Sequence, residues 1–122
     1  MKTIIAGSRD LEIYKDQYAV WVVADAVMKS GFTITEVVTG GARGIDRAGV
    51  LWALSCQPQV PVKPFMPLWD KYGKAGGPIR NQEMADYADA LILIWNGTST
   101  GSADMLKRAK KKNLKIYEYI TK

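Results

Sequence analysis

The chain has 122 residues, a net charge of +5 and 48% hydrophobic residues, totals that predict a single domain over 1–122 with one real core. It has no histidine, which excludes Ser-His-Asp and Cys-His catalysis and His-ligated zinc. Cys56 is the one cysteine, so no intrachain disulfide can form, and a reducing, cytoplasmic setting is expected. No apolar run approaches the ~20 residues that span a bilayer, and the start is broken by Gly7 too early for a signal peptide, so no membrane partner is expected. The scattered acids predict no metal cluster, and no resident cofactor is expected.

Lys2 to Ala6 is a short apolar run that reads as a buried strand. Tyr14 to Lys29 has helix length and stops at Ser30-Gly31, and it is apolar on more than one face. Glu36 to Thr39 reads as a second strand, and Gly44 to Cys56 as a helix with Ile45, Ala48, Leu51, Trp52 and Cys56 near helical spacing. Val60 to Phe65 is strand-like but carries Pro61 and Pro64, which place it at a sheet edge. Leu68 to Gly77, with Trp69, Tyr72 and its glycines, reads as a loop. Pro78 to Tyr87 reads as a helix with proline near its first position. Ala90 to Trp95 is the most apolar run, expected at the sheet centre. Gly101 to Lys112 reads as the last helix and Lys115 to Tyr119 as a second edge strand.

This alternation of strand and helix predicts an α/β domain with a five-stranded, doubly wound parallel sheet. Right-handed crossovers give the order 3-2-1-4-5, which puts the proline-bearing strand 3 at an edge. The crevice for a ligand then lies between strands 1 and 4.

Chemistry-bearing residues concentrate in segments at the strand ends that face this crevice. They are Gly7, Ser8 and Arg9; Gly40, Gly41, Arg43, Gly44 and Asp46; Arg80 and Asn81; and Asn96, Gly97, Thr98, Thr100, Gly101 and Ser102. Glycine lets a backbone approach an anion closely, helix N-termini offer free N–H groups, and arginine adds bidentate phosphate contacts. Each residue also has a plain reading. Arg9 and Arg43 fit an ordinary surface, Asp46 suits the first turn of any helix, and the hydroxyls serve equally as helix caps. Arg80 is expected in a first helical turn, where the dipole disfavours a cation unless an anion sits nearby. Trp69 and Tyr72 fit a stacking platform or packing against the sheet. Lys107, Arg108, Lys110, Lys111, Lys112, Lys115 and Lys122 concentrate positive charge near the C-terminus, as a solvated helix face or as a nucleic-acid patch. A phosphate-binding G-x-x-x-x-G-K-[ST] loop is absent, as is a dinucleotide G-x-G-x-x-G loop after the first strand.

Thr-Gly-Gly-Ala-Arg-Gly-Ile-Asp at 39–46 resembles the signature loop of the DNA-processing protein A family. Ile-Arg-Asn-Gln-Glu-Met-Ala at 79–85, Ala-Asp-Ala-Leu-Ile at 88–92 and the Gly-Thr-rich loop at 97–102 are similar to the Lonely Guy phosphoribohydrolases. Both belong to the SLOG superfamily, and Gly-Ser-Arg at 7–9 fits its first loop. Over nearly its whole length the chain resembles a small single-domain SLOG group found in bacteria and phages. The resemblance implies a Rossmann-like domain that binds nucleotides or nucleotide-derived signals, in a superfamily whose members commonly form homo-oligomers. The Lonely Guy motif ends Gly-Thr-x-x-Glu with a catalytic glutamate, where this chain has Met105. Asp104 is one residue early, about 100° around the helix.

The expected activity is therefore binding of a phosphate-bearing, nucleotide-like small molecule for sensing or sequestration. One alternative is hydrolysis of a nucleotide N-glycosidic bond, with Arg80 on phosphate and Asp46 or Asp104 at the developing ribosyl cation. The other is single-stranded nucleic-acid binding. A dimer or dimer of dimers is expected from the apolar helix at 14–29.

Overall fold

The architecture was obtained as a computed structural model that describes residues 1–8 and 16–121. Strands β1 (Lys2–Gly7), β2 (Glu36–Thr39), β3 (Val62–Pro64), β4 (Ala90–Trp95) and β5 (Lys115–Ile120) form one parallel sheet in the order β3-β2-β1-β4-β5. Helices α1 (Asp16–Ser30), α2 (Ile45–Ser55), α3 (Trp69–Tyr72), α4 (Gly76–Tyr87) and α5 (Thr100–Lys111) connect them. The sheet is the Rossmann-like arrangement expected from the alternation of apolar runs and helical patterns. Among the described residues no helix is long and apolar enough to cross a membrane.

Strand β4 is buried along its full length because both faces of the sheet are covered. Its side chains alternate, as strand geometry requires. Leu91, Leu93 and Trp95 join a core with Met84, Ala85, Met105 and Ala109 of α4 and α5. Ile92 and Ile94 join the opposite core with Val22, Val23 and Ala26 of α1 and Ile45 and Ala48 of α2. Gly7 ends β1 where a side chain would collide with the Ile94 carbonyl and with Ile45. The two backbones therefore stay close at the point where the chain order reverses, which is where the crevice opens.

The prolines act at the edge as expected, although β3 is shorter than the 60–65 run. The Pro61 carbonyl accepts the Val37 N–H at 2.9 Å, and the Thr39 carbonyl accepts the Phe65 N–H at 2.8 Å. Neither proline is asked for a donor. Helix α1 buries Ala19, Val22, Val23 and Ala26 and leaves Tyr18, Trp21 and Met28 in solvent. Its extra apolar face is an outer surface, where the Tyr18 and Trp21 rings stack with centroids 5.9 Å apart.

Residues 68–77 are not the loop that their glycines imply. Trp69–Tyr72 is a helical turn, Gly73–Ala75 a 3₁₀ turn, and α4 begins at Gly76 rather than Pro78. Of these glycines only Gly73 breaks the helix, at φ 58°, while Gly76 is helical with φ −58° and ψ −38°. Pro78 is the third residue of α4, still in the first turn where no N–H is needed. Arg80 consequently lies in the second turn, so the expected dipole conflict in a first turn does not arise.

Candidate functional site

A cleft of about 830 Å³ opens at the C-terminal ends of β1 and β4. An adjoining compartment of about 370 Å³ lies beyond Ala42, Arg43, Trp69 and Arg80, which line both. Gly7, Arg43, Asp46, Arg80, Asn81, Asn96, Thr98, Thr100, Gly101 and Ser102 all line the main cleft. Gly40 and Gly41 line the adjoining compartment. Gly44 and Gly97 line neither and instead turn the chain at φ 76° and 87°. Arg9 lies outside the described residues.

Several of these side chains build the cleft rather than face it. Ser8 is buried; its N–H donates to the Ile94 carbonyl at 3.2 Å, and its hydroxyl accepts the Asn96 N–H at 3.4 Å. It latches the end of β1 to the loop after β4. The Asn96 carboxamide oxygen accepts the Thr98 N–H at 2.9 Å, the Thr98 hydroxyl at 3.0 Å and the Ser99 N–H at 3.2 Å. That turn sets the chain at the start of α5, and it commits the Thr98 hydroxyl internally.

The loop between β2 and α2 is held in the same way. The Thr39 hydroxyl accepts the Gly41 N–H at 3.1 Å, and Asp46, 5% exposed, accepts the Ala42 N–H at 3.2 Å. The buried Arg80 reaches across from α4, with Nη1 donating to the Gly40 carbonyl at 2.5 Å. A methyl group on Gly40 would lie 2.7 Å from Arg80 Cζ and 3.0 Å from Asp46 Oδ2, so only glycine fits between them. Asp46 and Arg80 thus brace the loop from inside while still forming part of the cleft wall. Arg43 differs, being exposed at the mouth.

Asn81 joins the two helices of the other wall. Its oxygen accepts Arg80 Nε at 3.0 Å, and its amide nitrogen donates to Asp104 Oδ2 at 2.9 Å. Arg108 Nε donates to the same Asp104 oxygen at 2.9 Å. Partial burial pushes the Asp104 carboxyl up, but the hydrogen bonds from Arg108 and Asn81 and the charges of Arg108 and Lys107 hold it below its ordinary value. Asp104 lines the cleft despite its offset along the helix. It does so because the cleft runs along the first turns of α5, wide enough to meet both Asp104 and Met105. Met105 is buried and belongs to the core beneath the cleft floor.

The N-terminus of α5 is differently placed. Ser99 at the cap has no side-chain capping bond, and no acidic residue stands in the first turn. Ser102 is 5% exposed and lines the cleft, and its hydroxyl has no hydrogen-bond partner among the described residues. Such a donor, beside first-turn amides at the positive end of a helix, suits an anion. The lysine cluster lies elsewhere: Arg108, Lys110 and Lys111 form the last turn of α5, at the opposite end of the helix from the cleft, where the macrodipole favours cations.

Residue-level reading missed Lys74, Met66 and Pro67, which line the two compartments. Nothing in their spacing marks them: Met66 and Pro67 lie between β3 and α3, and Lys74 in the 3₁₀ turn before α4. Among the described residues no group of His, Cys, Asp and Glu could hold a metal ion. No family model matches the chain, and no curated protein and no solved structure matches it.

Proposed function

We propose that the cleft binds a phosphate-bearing, nucleotide-like small molecule, with the phosphate on the first turn of α5 and the sugar over Gly7 and the β4 end, in a sensing or sequestering role. The observation that carries this reading is Ser102, a 5% exposed residue that lines the cleft with a hydroxyl that has no hydrogen-bond partner among the described residues, at a helix N-terminus with no acidic residue in its first turn. Arg43 at the mouth supplies a cation whose charge is always present. The placement agrees with the SLOG resemblance of residues 7–9, 39–46 and 79–102, and with the habit of open α/β sheets to bind ligands at the switch point. Mass spectrometry of small molecules that co-purify with the protein tests it. Recovery of a phosphorylated nucleoside or a nucleotide conjugate supports the reading; a protein that stays empty and shows no saturable uptake of ribose 5-phosphate contradicts it.

A second reading, hydrolysis of an N-glycosidic bond, draws on the carboxylates of Asp46 and Asp104 in the cleft wall. Both are engaged with protein donors, Asp46 with Ala42 and Asp104 with Asn81 and Arg108. A carboxylate so held is a poor base for activating water, which favours binding over turnover.

We further propose self-association through the outer face of α1, where Tyr18, Trp21 and Met28 form an exposed apolar row.

A further inference from the structure

The indole of Trp69 occupies a prepared seat. A methyl group on Gly76 would stand 3.1 Å from Trp69 Cε3, and one on Gly77 would stand 3.2 Å from Cη2. Both glycines are helical, where alanine is favoured by about 1 kcal/mol, so the helix gains nothing from their bareness. The ring gains from it, because the six-membered half of the indole lies against bare backbone. The short α3 keeps the ring there: the Leu68 carbonyl accepts the N–H groups of Lys71 at 3.1 Å and Tyr72 at 2.9 Å, and Gly73 then turns the chain into α4.

Seated in this way, Trp69 is still 45% exposed, and it lines both the main cleft and the adjoining compartment. It is the one aromatic side chain lining either compartment among the described residues. Beyond it, Met66 and Pro67 give the smaller compartment an apolar wall, and the Met66 sulfur lies where a side chain on Gly41 would stand. The soft thioether and the indole flank a space of about 370 Å³, and Arg43 and Arg80 line both that space and the main cleft that reaches the first turn of α5.

We propose that Trp69 is the shelf on which a planar heterocycle, the base of a 5′-nucleotide, stacks, so that this residue makes the site prefer nucleotides over sugar phosphates. An exposed indole held rigid beside cations and a helix N-terminus matches the two ends of a nucleotide: a π-face for the base and donors for the phosphate. Aromatic stacking accepts any base, so the shelf selects for a base without choosing among bases. The inference rests on the phosphate site proposed above and adds the second half of the ligand.

Calorimetric titrations of adenosine 5′-monophosphate and of ribose 5-phosphate into wild type, Trp69→Leu and Trp69→Phe test it. Leucine keeps the glycine seat occupied but has no π-face, and phenylalanine keeps one. Wild type is expected to bind adenosine 5′-monophosphate about 5–100-fold more tightly than ribose 5-phosphate, the span that base stacking supplies. Trp69→Leu should lose that preference, Trp69→Phe should retain most of it, and ribose 5-phosphate should bind all three alike. Equal affinity of the two probes for wild type, or a preference that survives in Trp69→Leu, overturns the shelf and leaves the phosphate site standing. Binding of neither probe to wild type overturns the phosphate site, and the shelf with it.

Discussion

Asn81 Nδ2 donates to Asp104 Oδ2 at 2.9 Å and thereby ties α4 to α5 along one wall of the cleft. Asn81 is buried, its oxygen is occupied by Arg80 Nε, and its amide nitrogen has one longer alternative, the Gly101 carbonyl at 3.5 Å. Asp104→Ala removes the acceptor and also strips Arg108 of its ion pair. A loss of about 1–3 kcal/mol of stability is expected, the cost of removing a charged acceptor that takes hydrogen bonds from both Asn81 and Arg108. Urea unfolding measures it; a change under about 0.5 kcal/mol, the usual surface value, would show that the link is idle.

The same carboxylate gives a pH signature. Its pKa in the folded chain lies below the ordinary value of 3.8. A depressed carboxylate contributes stability that is fully present above its unfolded pKa and is lost as pH falls through the folded one. The stability gap between wild type and Asp104→Asn should therefore be constant from neutral pH down to about pH 5 and shrink below pH 3.8. A gap that widens on acidification would contradict the assignment.

Arg43 and Arg80 should separate when each is changed to alanine. Both variants are expected to weaken nucleotide binding by about 1.5–3 kcal/mol, the range for hydrogen bonds to charged groups. Arg80 also braces the Gly40 carbonyl from a buried position, so Arg80→Ala should lower Tm as well, while the exposed Arg43→Ala leaves Tm unchanged. Scanning calorimetry of the unliganded proteins tells them apart, and matching Tm values would remove the bracing role from Arg80.

Trp21 is 58% exposed beside Tyr18 on the outer face of α1. If that face mediates self-association, Trp21→Glu should yield a monomer with unchanged fold. Light scattering at micromolar concentration decides it, and a wild-type monomer would count against the proposed interface.

Turnover of nucleoside monophosphates is expected to stay below ~1 s⁻¹, the low end of ordinary enzyme rates. Cleavage through an oxocarbenium-like transition state needs a carboxylate free to assist a water, and Met105 offers only a weakly accepting thioether. Faster release of free base would move the hydrolase reading into first place, with Asp46 and Asp104 the carboxylates to change. Met105→Glu is no simple rescue, because Met105 is buried and a new carboxylate there must reach the cleft or be protonated.

The sheet was legible because its signals are physical and local. Ala90–Trp95 is apolar without alternation, as a strand covered on both faces must be, and Pro61 and Pro64 mark an edge because they cannot donate to a neighbour. The convergence of Gly7, Arg43, Arg80 and Ser102 followed from strand order alone. What stayed hidden depends on contacts between distant residues. Gly76 and Gly77 look like loop residues, yet they are helical and bare because Trp69 lies on them. Asp46 and Arg80 read as ligand contacts, and only their shared packing around Gly40 shows that they also shape the loop.

The claim that the first turn of α5 holds a phosphate is tested most directly by titrating adenosine and adenosine 5′-monophosphate into wild type and Ser102→Ala. The phosphate should strengthen binding to wild type by at least about tenfold, one hydrogen bond to a charged group being worth about 1.5–3 kcal/mol. In Ser102→Ala that advantage should fall by a similar factor, with adenosine affinity unchanged. Equal affinity of the two ligands for wild type, or a phosphate advantage that Ser102→Ala leaves intact, would contradict the account.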